Sequence, residues 1–441
     1  MQTSISTISA RALEILQNLV RFDTTNPPGN EAPCISYLRN LLSDAGIESE
    51  VFARSPERPN MIARLQGSGS SSPLMLYGHV DVVTTAGQNW RYPPFDGEIA
   101  DGFLWGRGTL NMKCAIAMMV AAVLHAKEQD TELPGDVVLC VVCDEEAGGA
   151  YGAKWMVENH AHQFEGIRHA LGEFGGFSLN IGGQRLYPIM IAEKQICWMK
   201  VTFRGPAGHG SMPIRGGAMA KLAAAIQKME SQRLPVHITE PARLMFESMA
   251  TSQSMVIRQL IRLMLKPRLT NRVLDLLGDR TRVFDPLLHN TVCPNIVHGG
   301  EKINVIPSQV SLELDGRLLP GYGPDDMVVE LQALLGPHAE IEVVDYNPGP
   351  SEVDMDFFEI LVGLLQEADP AGTPVPLLLS GVTDARYFSR LGIHTYGFTP
   401  MQLPEDFNFS ETIHAADERI PLEAVDFGTQ AIFKAIQRPR S

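Results

Sequence analysis

The chain has 441 residues, 44% of them hydrophobic, and a formal net charge of −15. Its length favours two or more domains around large cores, and acids spread along the whole chain leave no basic face for a nucleic-acid partner. Six cysteines in so long a chain do not make a disulfide scaffold.

In chain order, the opening MQTSISTISARALEILQNLVRFDTTNPPGN spaces its apolar residues as a helix does. It lacks the basic start, unbroken apolar run and small-residue cleavage site of a secretory signal. PNMIARL (59–65), SPLMLYGHVDVV (72–83) and DVVLCVVCDEE (136–146) are β-rich apolar runs, with a short GSGSSSP loop after the first. MKCAIAMMVAAVLHAKEQ (112–129) reads as a buried helix between the last two, too short to cross a bilayer. No membrane partner is expected, and the expected location is cytoplasmic. Cys140 and Cys143, although spaced CxxC, read as strand cysteines, and Cys114 as packing. His160 and His162 match no motif and read as surface groups.

This strand-helix-strand rhythm predicts an α/β domain with a mostly parallel sheet flanked by helices, its function at the carboxyl ends of the strands. From about residue 195 the texture changes. QICWMKVTFRG, GGAMAKLAAAIQKMES, KINVIPSQVSLELDGRLLP, PDDMVVELQALLG and AEIEVVDY alternate strand and helix as a small α+β sandwich inserted as a second domain. Residues 235–290, rich in Leu, Met and Arg at helical spacing, predict a helical insertion in it: a pair of amphipathic helices, an apolar wall for substrate or a dimer contact. DMDFFEILVGLLQEA, PLLLSGVTDARYF and IHTYGFTP then restore the first texture. The expected division is a discontinuous catalytic domain, 1–194 and 349–441, and a lid or dimerisation domain, 195–348.

A dinuclear hydrolytic site needs imidazoles and carboxylates for two cations about 3.5–4 Å apart, and one carboxylate left free to take a proton. Candidates are His79, Glu146, Glu173 in LGEFGGF and His414 in ETIHAADE, with Glu145 left over. Asp81, two residues beyond His79, has the spacing to orient that imidazole. Adjacent Glu145 and Glu146 on an extended strand end would point to opposite sides.

In order and spacing, GHVDVV, GRGTLNMKCA, CDEEAGG, GHGSMP, NVIPSQV, DGRLLP, SGVTDARYF and ETIHAADE resemble the motifs of the dinuclear metallopeptidase family that includes carboxypeptidase G, succinyl-diaminopimelate desuccinylase, acetylornithine deacetylase and aminoacylase. The resemblance implies a ferredoxin-like inserted domain and two divalent cations, zinc foremost and cobalt or manganese as alternatives. It implies His79 and Glu173 on one cation, Glu146 and His414 on the other, and position 111 as the bridge. Glu145 would be the general base and Asp81 the support of His79. His209 would stabilise the oxyanion in a partner subunit's active site, Asn304 and Arg317 would grip a substrate carboxylate, and Gly381 would belong to a substrate loop. The plainer readings are a strand-end ion pair for Arg317, a cap for Asn304, a loop residue for His209 and a loop-capping acid for Asp81. The implied function is hydrolysis of an amide next to a carboxylate-bearing residue, in an acylated amino acid or short peptide, by a homodimer joined through the lid domain.

Position 111 departs from the pattern, for the family has Asp where this chain has Asn111. An amide brings no negative charge and one good donor atom, so it cannot bridge two cations as a carboxylate does. Three explanations stand: a substitution that disables an otherwise intact enzyme, a natural enzyme with one metal or altered chemistry, and a non-catalytic relative that binds acylated amino acids or peptides. An amide-forming relative is the further alternative.

Overall fold

The computed structural model describes residues 6–251, 253–278, 282–350 and 353–440. Parts of the expected amino-terminal segment (1–5) and of the helical insertion (252 and 279–281) lie outside the described residues. By contacts the chain forms two compact units: Met1–Ile191 with Asp354–Leu377 and Thr383–Ser441, and Ala192–Val353 with Leu378–Val382.

The first unit is built on a nine-stranded sheet whose centre is parallel. Val137–Val142, Leu74–His79, His169–Gly172 and His394–Gly397 lie side by side, and Ser49–Ala53 with Pro59–Leu65 extend one edge antiparallel. Every residue of Leu74–His79 and of Val137–Val142 is buried. Strands covered on both faces read as unbroken apolar runs, which is why these two lack an in-out alternation. On one face, Met75, Tyr77, Val138, Cys140 and Val142 join Met156, Phe388 and Ile393 in a single core. On the other lies the helix Lys113–Glu128, buried nearly all round because the helices Thr7–Arg21 and Leu422–Ile436 cover it in turn. A Cβ on Gly78 would stand 2.5 Å from Met112 Cε and 2.7 Å from Ile116 Cδ1, so the strand meets this helix closely and a larger residue there would push those side chains aside. Each fully buried Leu, Ile, Val or Met here contributes roughly 1.5–3 kcal/mol. Because the central strands run parallel, His79, the turn after Val142 and Glu173 all emerge at carboxyl ends.

The second unit is a four-stranded antiparallel sheet ordered Thr291–Gly299, Gln309–Leu318, Gln195–Arg204, Ala339–Asn347. The helices Ala218–Ser231 and Pro324–Leu335 pack on one face around Val201, Phe203, Leu222, Leu312, Leu314 and Met327. Three differences from the sequence expectation have local causes. KINVIPSQVSLELDGRLLP is not one strand: Pro307, which lacks an N–H, separates Val305–Ile306 from Gln309–Leu318. Thr291–Gly299 is a strand the periodicity missed, an edge strand whose register shifts between Pro294 and Ile296. Among its described residues the insertion holds three helices rather than the expected pair: Glu240–Thr251, Met255–Met264 and Pro267–Leu277.

All six cysteines are free; Cys140 and Cys143 are buried, and Cys114 Sγ packs 3.5 Å from Leu110 O. His162 is exposed, while His160 is half-buried, its ring 4.6 Å from that of Phe52 and 4.7 Å from that of Trp155. No helix among the described residues is long and apolar enough to cross a membrane.

Candidate metal centre

At the end of Leu74–His79 the imidazole of His79 is fixed from behind. Its Nδ1 lies 3.0 Å from the Asp81 carbonyl and 3.3 Å from Asp81 Oδ1. Asp81 is fully buried and accepts from Asn26 Nδ2 at 2.8 Å and from the backbone N–H groups of Glu145 and Glu146 at 3.1 Å each. Burial alone would raise its pKa, but His79 and these donors hold the carboxyl below the usual range. One carboxylate therefore orients both the imidazole and the turn that carries the paired glutamates.

That turn is not the extended chain end expected from sequence. Asp144 takes the left-handed conformation (φ 68°), Glu145–Ala147 form a single 3-10 turn, and the chain leaves through Gly148 (φ 96°) and Gly149 (φ 70°). Positive φ at these two glycines carries no Cβ penalty. The base of the turn is clamped by Arg58, paired with Asp144 at 2.8 Å and with Glu31 at 2.9 Å. Even so, Glu145 and Glu146 face different partners.

Glu145 joins His79 and Glu173, their ligand-type atoms within 4.8 Å of one another. His79 Nε2 is buried, hydrogen-bonds to nothing and stands 3.7 Å from Glu173 Oε2. Burial and the neighbouring Glu173 carboxylate push the Glu145 carboxyl well above its ordinary range. Burial opposes a charged His79, yet the nearby Asp81 and Glu173 carboxylates outweigh this and raise the imidazole well above its usual value. An unpartnered imidazole nitrogen among carboxylates, with its other nitrogen held by a carboxylate, is the arrangement a divalent cation requires.

Glu146 turns to a second cluster. Its Oε1 lies 3.0 Å from His414 Nε2 and 3.1 Å from Asn111 Nδ2, and Asn111 Nδ2 is 3.0 Å from that same His414 nitrogen. Burial opposes protonation of His414, but Glu146 overrides it and raises the pKa. The loop carrying Asn111 is anchored by Glu418, which accepts from Gly108 N at 3.0 Å and Leu110 N at 2.8 Å and pairs with buried Arg107. Arg107 Nη2 also donates to the His414 carbonyl at 2.9 Å, tying the two loops together.

Glu418, Arg107 and Asp384 are site residues that sequence reasoning did not single out. Asp384 is buried, neither of its oxygens has a hydrogen-bond partner, and its carboxyl is pushed up to about 8 by burial, with Glu173 adding to the rise and Arg386 opposing it. Both acids stand inside quoted motifs, SGVTDARYF and ETIHAADE, so the segments were visible although the roles were not.

The remaining candidates belong to the second unit. His209 is exposed, its Nδ1 2.8 Å from Ser211 Oγ, on a two-residue strand paired with Val305. Asn304, also exposed, accepts from Gly210 N at 2.8 Å through its backbone carbonyl, so the structure brings the His209 and Asn304 segments together. Arg317 lies within Gln309–Leu318 with its guanidinium forked onto Asp315 at 2.8 and 3.1 Å. Gly381 falls in the Leu378–Val382 piece of the same unit.

The α/β unit thus gathers imidazoles and carboxylates, the donor types that divalent cations take. Residues 75–438 match the model of peptidase family M20/M25/M40, and the chain belongs to that family. Among curated relatives, a probable carboxypeptidase S-like protein of Dictyostelium discoideum is 28% identical over 81% of this chain and 70% of its own. An N-fatty-acyl-amino acid synthase/hydrolase of Xenopus tropicalis is 27% identical over 85% of this chain and 74% of its own. Aminoacylase-1 of Sus scrofa is 23% identical over 96% and 94%. Among solved structures, a family metallo-carboxypeptidase of Sulfolobus solfataricus superposes with a TM-score of 0.67 at 16% identity, covering 97% of this chain and 98% of that one. A dinuclear metal-binding peptidase of Bacillus subtilis does so at 0.57 and 14%, again over 97% and 98%.

Proposed function

We propose that this chain is a metal-dependent amide hydrolase acting on an acylated amino acid or a short peptide, cleaving the bond next to a carboxylate-bearing residue. The observation that carries the reading is buried, unpartnered His79 Nε2 beside Glu173 and Glu145, with Asp81 fixed behind it. By the family pattern, His79 and Glu173 would hold one divalent cation and Glu146 and His414 a second, zinc foremost and cobalt or manganese as alternatives. When bound, such cations supply Lewis acidity to the scissile carbonyl and to water.

The side chains supply the rest. The Glu145 carboxyl, raised by burial and by Glu173, holds a proton more readily than an ordinary glutamate, as suits a group that takes a proton from attacking water and delivers it to the departing amine. Asp81 keeps the His79 imidazole from turning. The reading assigns His209 to the oxyanion and Asn304, Arg317 and the Gly381 loop to the substrate; Arg317 would have to share its fork with Asp315. It includes a cytoplasmic homodimer joined through the second unit. Supporting that dimer, Thr291–Gly299 is an edge strand with exposed Ile296 and Val297, a backbone template open to pairing. Asn111 is expected to weaken turnover, since even outer-shell changes around a metal cost about 10–100-fold.

The second reading is the binding protein, favoured by Asn111 itself, and the third is the amide-forming direction, which the name of the Xenopus relative, a synthase/hydrolase, includes. A panel of N-acyl amino acids and dipeptides, assayed in both directions with the native chain and the Asn111→Asp variant, separates the three. Hydrolysis raised at least tenfold by the variant is expected. Tight substrate binding with no turnover by either protein would replace the enzyme with the binder, and net amide formation would reverse the assigned direction.

A further inference from the structure

Where the family pattern implies two cations, we propose that this chain holds one, at the His79–Glu145–Glu173 group, and that Asn111 closes the Glu146–His414 side with hydrogen bonds. The inference rests on the metal-dependent reading above and gives it a stoichiometry.

The two sides differ in donors. Among the described residues, His79, Glu145 and Glu173 form the group of three His, Cys, Asp or Glu side chains close enough to share an ion. Three protein ligands with one position left open make a working catalytic site. Glu145 has two oxygens, so lending one to the cation leaves the other for the proton. On the opposite side Glu146 and His414 are a pair, and their third neighbour presents an N–H where a ligand oxygen would be needed, Asn111 Nδ2 at 3.1 Å from Glu146 Oε1 and 3.0 Å from His414 Nε2.

The two sides differ in charge as well. Glu145 and Glu173 place two carboxylates around the first position, whereas Glu146 alone serves the second. Amide protons directed at the Glu146 carboxylate take up the lone pairs a cation would use, and their own positive ends repel it. Turning the amide over would offer a single neutral oxygen and set it against the Glu146 oxygen. Nor is the loop free to withdraw, since Glu418 holds the N–H groups of Gly108, Leu110 and, at 3.4 Å, Asn111 itself. The second position is thus filled by an amide–carboxylate–imidazole triangle.

Metal content tests this without reference to turnover. The full chain, saturated with zinc and then desalted, is analysed by elemental mass spectrometry beside Asn111→Asp, His414→Ala and Glu173→Gln, with circular dichroism confirming that each is folded. The expected contents are close to one zinc per chain for the native protein, close to two for Asn111→Asp, unchanged for His414→Ala and near zero for Glu173→Gln. Two zincs in the native chain, an Asn111→Asp variant that stays at one, or a His414→Ala variant that loses its metal would each overturn the inference. Two zincs together with hydrolysis removes only the stoichiometry, whereas no zinc and no hydrolysis removes the metal-dependent reading with it.

Discussion

Asp384 shows how much of this site lies in the surroundings of a residue rather than in its type. It is a carboxyl with no hydrogen-bond partner, buried near Glu173 and His79, with a pKa of about 8 against an ordinary 3.8. In the metal-free protein this has a defined sign. Between pH of roughly 4 and 8 the folded state binds a proton that the unfolded chain has released, so stability falls as pH rises through that window. Urea unfolding of the metal-free chain at a series of pH values should show that decline, and Asp384→Asn should flatten it. An equally steep decline in the variant would assign the effect to Glu145, whose carboxyl is also raised. The letters D and E in SGVTDARYF and ETIHAADE carry none of this, because desolvation depends on what packs around them. By contrast His79, Glu145, Glu146 and Glu173 stand just at or after strand ends and His414 in the ETIHAADE loop, positions their motifs point to, and the structure gathers them into two adjoining clusters.

At the scale of elements, two loops set the site, and each depends on a buried ion pair. Arg58 with Asp144 and Glu31 fixes the turn of the paired glutamates, and Arg107 with Glu418 fixes the Asn111 loop. Breaking a fully buried pair from one side strands a charge. Arg107→Met, which keeps much of the volume but leaves Glu418 uncompensated, should lower the unfolding free energy by about 3–5 kcal/mol, measured by denaturant titration. A loss under about 1 kcal/mol, the worth of an exposed pair, would contradict the role given to Glu418. The alternation of runs between 59 and 146 gave the parallel sheet correctly because strands covered on both faces are apolar throughout. It missed Thr291–Gly299 because a proline and a register shift erase the two-residue period there, and it took Glu145–Glu146 as extended because nothing in CDEEAGG announces a left-handed aspartate.

For the molecule as a whole, an acidic chain of net charge −15 divides into one unit built to hold polar side chains at the ends of a buried parallel sheet and another built as an antiparallel sheet with helices on one face. The chain belongs to peptidase family M20/M25/M40, and Asn111 is where the motif resemblance implies an Asp instead. The central claim is that water is turned on an amide only with a divalent cation beside His79. Release of free amino acid from an N-acyl amino acid should therefore be followed with the chain as purified, after chelation, and after reloading with zinc, cobalt or manganese. The account predicts that turnover disappears on chelation and returns on reloading; hydrolysis that continues undiminished in the chelated protein would contradict it.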